Sequence, residues 1–203
     1  MSDTIKQILR DEASAILNIP VTTDFDEALD LIYEKVHNQH GKVITSGMGK
    51  AGQIAINIAT TFSSTGTPSI FLHPSDAQHG DLGVIQRNDV FLLISNSGKT
   101  REIIELVELA KNLNPNLPII VISSQEDSPL ARLADVLIQT GNPKEVCPLG
   151  LSPTTSTTVM TVIGDALVVC MMKKIDFSAQ DYALRHHGGY LGSKSRQAAQ
   201  KNK

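Results

Sequence analysis

Five short apolar runs alternate along the chain with longer stretches of helical periodicity. The runs cover residues 42–45, 69–72, 89–94, 117–122 and 134–140. Each is apolar almost throughout, which is typical of strands whose sheet is covered on both faces. The pattern therefore predicts five parallel strands.

The intervals between these runs carry the 3.6-residue spacing of helices. Residues 50–64 place Ile54, Ile58 and Phe62 on one stripe. Further helices are predicted over 100–112 and 153–174, and two more, about 3–17 and 25–39, precede the first strand. This alternation predicts an α/β fold, a three-layer α-β-α sandwich around a five-stranded parallel sheet. We expect one domain over 1–203, with a helical N-terminal extension over about 1–40 and a polar tail over about 194–203.

Composition narrows the class of protein. The 203 residues carry a net charge of −3, and aromatic residues make up only 4% with no Trp, which argues against a nucleic-acid surface. The longest apolar stretch, 159–172, contains Gly164 and Asp165 and predicts a buried helix rather than a membrane span. The N-terminus lacks the apolar core of a signal peptide. Cys147 and Cys170 have no metal-ligand spacing, so we expect reduced thiols and a cytoplasmic location.

Polar residues cluster where the predicted strands end. Open parallel sheets bind ligands beyond the carboxyl ends of their strands, so these loops are the place to look for a site. They read SGMGK from residue 46, HPSDAQHGD from residue 73, SNSGKT from residue 95 and SS at 123–124.

The loop 95–100 has the features of a phosphate cradle. It opens a helix, whose first N–H groups and dipole favour an anion. Ser95, Ser97 and Thr100 add hydroxyls, and Gly98 permits close approach. A second hydroxyl cluster, 153–158, opens the long helix and could close over the same phosphate. Helix capping explains either cluster alone, but the two together favour a phosphomonoester site.

The segment 47–52 also matches the G-x-G-x-x-G pattern of dinucleotide-binding folds. Asp76 lies near the position of the ribose-binding acid in such folds. Lys50 is an unusual residue inside that turn, and His73-Pro74-Ser75 separate the acid from the strand. A nicotinamide-dependent oxidoreductase therefore stays open as a remote alternative.

Four ionisable residues in these loops are candidates for acid–base chemistry. They are Lys50, Glu102, Glu145 and His186. Each also has a plain structural explanation, as a solvated lysine, a helix-start acid, a loop carboxylate or a helix cap. Glu145 is the best catalytic candidate by position, because its loop is bracketed by two prolines.

We expect no required metal. His73, His79, His186 and His187 follow none of the zinc-binding patterns, which leaves adventitious zinc at His79 and His186 as the one metal interaction to consider.

Six segments in a fixed order resemble the sugar isomerase (SIS) domain family, and within it the arabinose 5-phosphate isomerases. The segments are SGMGKAG (46–52), FSSTGTPSIFLHPSDAQHGDLG (62–83), ISNSGKTREI (94–103), PKEVCPLGLSPTTSTT (143–158), GDAL (164–167) and HHGGYLGSK (186–194). The resemblance runs from about residue 12 to 194. It implies a flavodoxin-like or Rossmann-like fold and a cofactor-free isomerase that interconverts D-arabinose 5-phosphate and D-ribulose 5-phosphate. That reaction opens the route to Kdo for lipopolysaccharide or capsule.

The resemblance also implies the site residues and the assembly. Lys50, Glu102, Glu145 and His186 match the family's catalytic positions. The substrate-binding positions are Ser46, Gly47, Gly49, His79, Ser95, Asn96, Ser97, Thr100, Thr155, Ser156 and Thr157. We expect a homo-oligomer, a dimer or homotetramer, with active sites shared between subunits, and no nucleic-acid or membrane partner.

Our mechanistic hypothesis gives each catalytic residue a role. His186 assists ring opening, and Glu145 moves the proton between C1 and C2. Lys50 stabilises the charge of the cis-enediolate. Glu102 orients hydroxyls or Lys50.

The chain departs from the family pattern in three places. His187 stands where the family has proline, and Lys99 and Arg101 add positive charge near Glu102. Many members also carry two C-terminal CBS domains, which this sequence does not reach, so we expect any feedback to act on the SIS domain itself. The alternatives are an isomerase for a hexulose, heptose or aminosugar phosphate, and a sugar-phosphate sensor. Because about 40 residues precede the first strand, we expect no helix-turn-helix domain of the kind that such sensors carry.

Overall fold

One parallel sheet organises the protein. The computed structural model describes residues 1–201, with side chains through residue 199. Strands β1 to β5 span Val43–Gly47, Ser69–Phe71, Val90–Ile94, Ile119–Ser123 and Val136–Gln139. They lie in the order β2-β1-β3-β4-β5, and every neighbouring pair is parallel. The predicted five-stranded parallel sheet is confirmed.

Helices cover the sheet largely where periodicity predicted them. Helices α1 to α8 span Ser2–Leu17, Asp24–Ile32, Lys50–Ser64, Pro74–Ala77, Arg101–Leu113, Thr155–Lys174, Ala179–Arg185 and Gly189–Lys201. The predicted helix 25–39 is α2 followed by a π-helical segment, Tyr33–Asn38. The polar tail lies within α8 as far as Lys201, and its last two residues fall outside the described part of the chain.

Strands β1 and β3 each begin one residue later than their apolar runs, because Lys42 and Asp89 pair with each other. The Asp89 carboxylate is fully buried and accepts hydrogen bonds from the backbone N–H of Lys42 at 3.0 Å and of Gln86 at 2.7 Å. The Lys42 ammonium lies 2.7 Å from the same carboxylate. Lys42 and Asp89, both included in the predicted runs, therefore form a polar clasp just before β1 and β3.

Alternation along each strand divides the core into two layers. In β3, Leu92 and Ile94 pack on the side of α3 and α6, whereas Phe91 and Leu93 pack on the side of α5. All four side chains are fully buried. The sheet is therefore covered on both faces, as the continuous apolar runs predicted.

Helix α6 runs across the first layer in close contact with α3. A Cβ added at Gly164 would come within 2.4 Å of the Ile58 side chain, so the two helices approach closely there. By length and composition alone α6 could cross a membrane, but half of its most apolar stretch is buried inside the protein. The buried half of this stretch forms part of the core, with Val159, Ile163 and Leu167 among its members.

The strand order creates a crevice at the carboxyl ends of the strands. From β1 the chain passes through α3 to β2 on one side, then crosses back to β3 on the other side of β1. Helix α3 belongs to one layer and α5 to the other. The loops after β1 and β3 therefore diverge, and a ligand site is expected between them.

We predict that His37 makes folding stability depend on pH. Its ring lies 3.1 Å from Thr67 Oγ1, and burial lowers its pKa from the ordinary value of 6.5. The unfolded chain then binds a proton more readily than the native protein, so the free energy of unfolding should fall as the pH drops below 6.5. Denaturant titrations from about pH 7.5 to about pH 5 would measure this slope.

The matched variant is His37→Gln, which keeps a polar partner for Thr67 and cannot titrate. Its unfolding free energy should change less over the same pH interval than that of the wild type. Equal slopes in the two proteins would show that His37 does not carry the effect.

Candidate functional site

A cavity of about 320 Å³ lies at the carboxyl edge of the sheet, between the loops that follow β1 and β3. The N-terminus of α6 closes its third side. Seven of the predicted site residues line it: Lys50, Ser95, Asn96, Ser97, Thr100, Ser156 and Thr157. Met48, Ala51, Ile94, Pro153 and Met160 complete the wall. The two hydroxyl clusters, which are far apart in sequence, thus face one space.

The loop 95–100 is held from behind by the loop after β4. The carbonyl oxygen of Asn96 accepts hydrogen bonds from the N–H of Ser124 at 3.1 Å and from its hydroxyl at 2.7 Å. The hydroxyl of Ser123 donates to the same oxygen at 3.2 Å. The paired serines at 123–124 therefore support the loop and do not line the cavity. The sequence indicated that these serines follow a strand, but it did not predict that they support the loop 95–100.

The hydroxyls of this loop are arranged around the start of α5. Ser95 Oγ and Thr100 Oγ1 lie 3.2 Å apart, and Thr100 is the N-cap residue of α5. The N-terminus of this 13-residue helix adds its dipole to the hydroxyl donors. Such an arrangement suits a phosphate dianion.

The turn from β1 to α3 presents Lys50 to the cavity. Gly49 has φ 58°, a left-handed conformation that favours glycine, and a Cβ at Gly47 would lie 2.8 Å from the carbonyl oxygen of Ala51. Both glycines thus allow the chain to turn sharply into α3, whose first residue is Lys50. The side chain is exposed and brings a positive charge opposite the loop 95–100.

Ser46 is placed away from the cavity lining. It is fully buried, and its hydroxyl donates to the carbonyl oxygen of Leu72 at 2.6 Å. This bond ties the end of β1 to the residue after β2. The Ser46 hydroxyl therefore stabilises the pairing of β1 and β2 at their carboxyl ends.

Glu145 lies at the N-terminus of α6, where it contacts Ser156 of the cavity wall and lines a neighbouring pocket together with residues of α1. Its carboxylate accepts hydrogen bonds from the N–H of Thr154 at 2.7 Å, from the Thr154 hydroxyl at 2.9 Å and from the N–H of Ser156 at 3.3 Å. The Ser156 hydroxyl donates to its second oxygen. Burial by itself would raise the pKa of Glu145, but the hydrogen bonds from Ser156 and Thr154 outweigh it, and the pKa lies below the ordinary value. The carboxyl group is thus ionised at neutral pH.

Thr155 points away from the cavity, toward α1. Its hydroxyl donates to Glu12 at 3.1 Å and accepts the N–H of Val146 at 3.2 Å. Consecutive residues of the hydroxyl cluster 153–158 therefore contact different parts of the protein, because successive helical side chains point about 100° apart.

Three further predicted residues, besides Ser46 and Thr155, lie outside the cavity of this chain. Glu102 is in the first turn of α5, and His79 is exposed in the loop between α4 and Leu82. His186 follows α7, with its ring stacked on Tyr182 at a centroid distance of 3.7 Å.

The segment that carries His186 is anchored near the amino-terminal ends of the strands, opposite the cavity. Tyr182 packs edge-on against Phe177, which contacts Gly66, just before β2 begins. Helix α6 separates that end of the sheet from the cavity by about 30 Å, at 1.5 Å for each of its 20 residues. His186 therefore lies far from the cavity of its own chain.

Histidine and acidic side chains do not converge elsewhere in the part of the chain whose structure is described. No three His, Cys, Asp or Glu residues there are placed to hold a metal ion together. His73 and His79 flank α4, whereas His186 follows α7.

Residues 35–170 match the SIS domain family. The chain belongs to this family. Arabinose 5-phosphate isomerase KdsD of Salmonella typhi is 50% identical over 164 residues, which are 81% of this chain and 49% of that protein. The chain spans about half the length of the curated relatives it matches.

Two solved structures extend the comparison. A Bacteroides fragilis protein, described as a phosphosugar isomerase involved in capsule formation, is 64% identical, with a TM-score of 0.92 and coverage of 94% of this chain and 99% of its own. An E. coli CFT073 protein solved in complex with arabinose 5-phosphate is 35% identical, with a TM-score of 0.83 and coverage of 90% and 95%. These SIS proteins share the α/β fold described above.

We predict that Gly98→Ala disables the loop 95–100. Gly98 has φ 59°, and a Cβ there would lie 2.0 Å from Ser128 Oγ. Ser128 cannot move away easily, since its hydroxyl donates to Gln125 O at 2.9 Å and accepts from Ala131 N at 3.2 Å. Displacement of the loop should weaken binding of a phosphorylated sugar at least about tenfold, as measured by calorimetry with arabinose 5-phosphate.

Gly83→Ala is the matched control, because a Cβ there meets open space and the residue is exposed. It should bind as the wild type does. Unchanged affinity in Gly98→Ala would contradict the assignment of this loop to phosphate.

Proposed function

We propose that this SIS protein interconverts D-arabinose 5-phosphate and D-ribulose 5-phosphate. The observation that carries the proposal is the cavity in which Lys50 faces the two hydroxyl clusters, one of which donates a hydrogen bond to Glu145 through Ser156. The resemblance to KdsD and to the E. coli protein bound to arabinose 5-phosphate supports the choice of sugar. The product would enter the route to Kdo, and the free thiols of Cys147 and Cys170 support a reducing, cytoplasmic setting.

The phosphate is bound at the loop 95–100 in this proposal. Ser95, Ser97 and Thr100 donate their hydroxyls there, and the N-terminus of α5 adds its dipole. Ser156 and Thr157 reach the same space from α6. Holding the phosphate in this crevice places the sugar carbons toward Lys50 and Glu145.

Proton transfer falls to Glu145. The carboxylate is ionised at neutral pH and is held in one orientation by Thr154 and Ser156, so it can take a proton from C2 and return it to C1. The ammonium of Lys50 stabilises the negative charge that develops on the oxygens of the cis-enediolate. Glu102, in the first turn of α5, lies outside this cavity, and its role in orienting hydroxyls or Lys50 stays a prediction from the resemblance.

Ring opening requires a residue from a second subunit. His186 is about the length of α6 away from the cavity of its own chain, so its proposed role can be performed only in a neighbour's site. The same holds for a homo-oligomer of either size, a dimer or a tetramer. His79, exposed on the other side of the carboxyl edge, is available to such a neighbour as well.

A panel of C5, C6 and C7 sugar phosphates tests the substrate. We expect turnover to be highest with arabinose 5-phosphate and ribulose 5-phosphate. Glu145→Gln should lower kcat about 100-fold or more, because it removes the base, while KM changes little. Glu108→Gln on the exposed side of α5 removes the same charge and should keep normal kinetics.

Two results would overturn the proposal. Faster turnover of a hexulose, heptose or aminosugar phosphate would show that the substrate is not arabinose 5-phosphate. Near-normal kcat in Glu145→Gln would remove that residue from the proton transfer.

Mixed oligomers test whether the sites are shared. His186→Ala and Glu145→Gln chains should each be impaired alone. After they are unfolded and refolded together, up to about a quarter of the sites would combine an intact Glu145 with an intact His186 of the other chain, and turnover should recover accordingly.

The control mixes Lys50→Met with Glu145→Gln. In the proposal both residues serve the site of their own chain, Lys50 in the cavity wall and Glu145 through Ser156, so no mixed site is complete and turnover should not recover. Recovery in this control, or none in the first mixture, would contradict sharing through His186.

A further inference from the structure

Helix α1 contributes almost nothing to the core. None of its residues is buried, and Ile5, Leu9 and Leu17 are more than half exposed. Its contact with the body of the protein lies near its C-terminal end, where Ala15 packs against the core and Glu12 reaches α6. The position of Glu12 therefore needs an explanation other than burial of apolar surface.

Glu12 is connected to the loop of Glu145 through a single hydroxyl. Thr155, only 1% exposed, donates to Glu12 Oε1 at 3.1 Å. The same oxygen of Thr155 accepts the N–H of Val146 at 3.2 Å. Val146 follows Glu145 directly, so one side of the loop is joined to α1 and the other, through Glu145, to Thr154 and Ser156.

The direction of these hydrogen bonds depends on Glu12. A hydroxyl has one proton to donate, and the carboxylate of Glu12 can only accept it. With its proton committed to Glu12, Thr155 offers its lone pairs to Val146. A charged acceptor also strengthens this bond relative to a neutral one.

The second oxygen of Glu12 adds an independent observation. Oε2 is buried and has no hydrogen-bond partner among the described residues. A buried carboxylate oxygen without a partner costs stability, so such a group calls for a reason beyond packing. The bond made by Oε1 supplies that reason.

We propose that Glu12 is a positioning residue for catalysis, which acts through Thr155 and Val146 on the loop that carries Glu145. This inference rests on the function proposed above. Glu12 fixes the hydroxyl of Thr155, Thr155 fixes the backbone of Val146, and the carboxylate of Glu145 is thereby held at the N-terminus of α6. The N-terminal helix is in this way part of the site although it does not reach the cavity.

Two variants break the connection at different points. Glu12→Ala removes the acceptor, and Thr155→Val removes the hydroxyl with little change in shape. Each should lower kcat about tenfold and leave KM for arabinose 5-phosphate within about twofold, since the base is misplaced and the phosphate loop is intact. The double variant should be no slower than either single variant, because both changes remove one connection.

Amide hydrogen exchange gives a readout that does not depend on turnover. The N–H of Val146 should exchange at least about tenfold faster in Glu12→Ala than in the wild type. Glu12→Gln keeps an oxygen that accepts from Thr155 and should restore both the exchange rate and kcat. Asp3→Asn, which removes the same charge from the first turn of α1, should change neither.

The outcomes separate the inference from the proposed function. Unchanged exchange at Val146 in Glu12→Ala would overturn the inference, and so would faster exchange with an unchanged kcat or additive losses in the double variant. A wild type that turns over no sugar phosphate would refute the proposed function, while the exchange rate would still decide whether Glu12 holds the loop.

Discussion

The reversal of the chain at β1 is the constraint on which the rest of this structure depends. Because β2 lies on one side of β1 and β3 on the other, the helices that follow β1 and β3 cover opposite faces of the sheet. Their loops leave the carboxyl edge in different directions and open a crevice. Lys50 begins one of these helices and Thr100 caps the other, so a positive charge and a set of hydroxyls meet without either loop being long.

The sequence was sufficient for the fold because the physical signal is repeated in every element. Strands β1, β3 and β4 are buried at every position and the edge strands β2 and β5 only in part, and an apolar run marked each of the five. The stripe Ile54, Ile58 and Phe62 is buried as predicted. Element ends were less certain, since Lys42 and Asp89 look like strand residues in sequence but form an ion pair before the strands begin.

The site was predictable only in part, for a geometric reason. The sequence indicated two hydroxyl clusters, and the structure places both around one cavity, while their binding of phosphate stays a prediction. The pattern could not say how α6 is rotated. Thr155 therefore faces Glu12, whereas Ser156 faces Glu145 and the cavity. The distance of His186 from the cavity was equally hidden, because it depends on where α6 ends and α7 turns.

The hydrogen bonds that hold the carboxylate of Glu145 in position also reduce its strength as a base. The N-terminus of α6 holds the carboxylate in one orientation, but the same hydrogen bonds lower its pKa and make it a weaker base. Ser156 links this balance to the cavity, since its hydroxyl has one proton, now donated to Glu145, and its residue also lines the space where a ligand would bind. If a ligand oxygen accepted the hydrogen bond of Ser156 instead, Glu145 would lose one of the hydrogen bonds that lower its pKa.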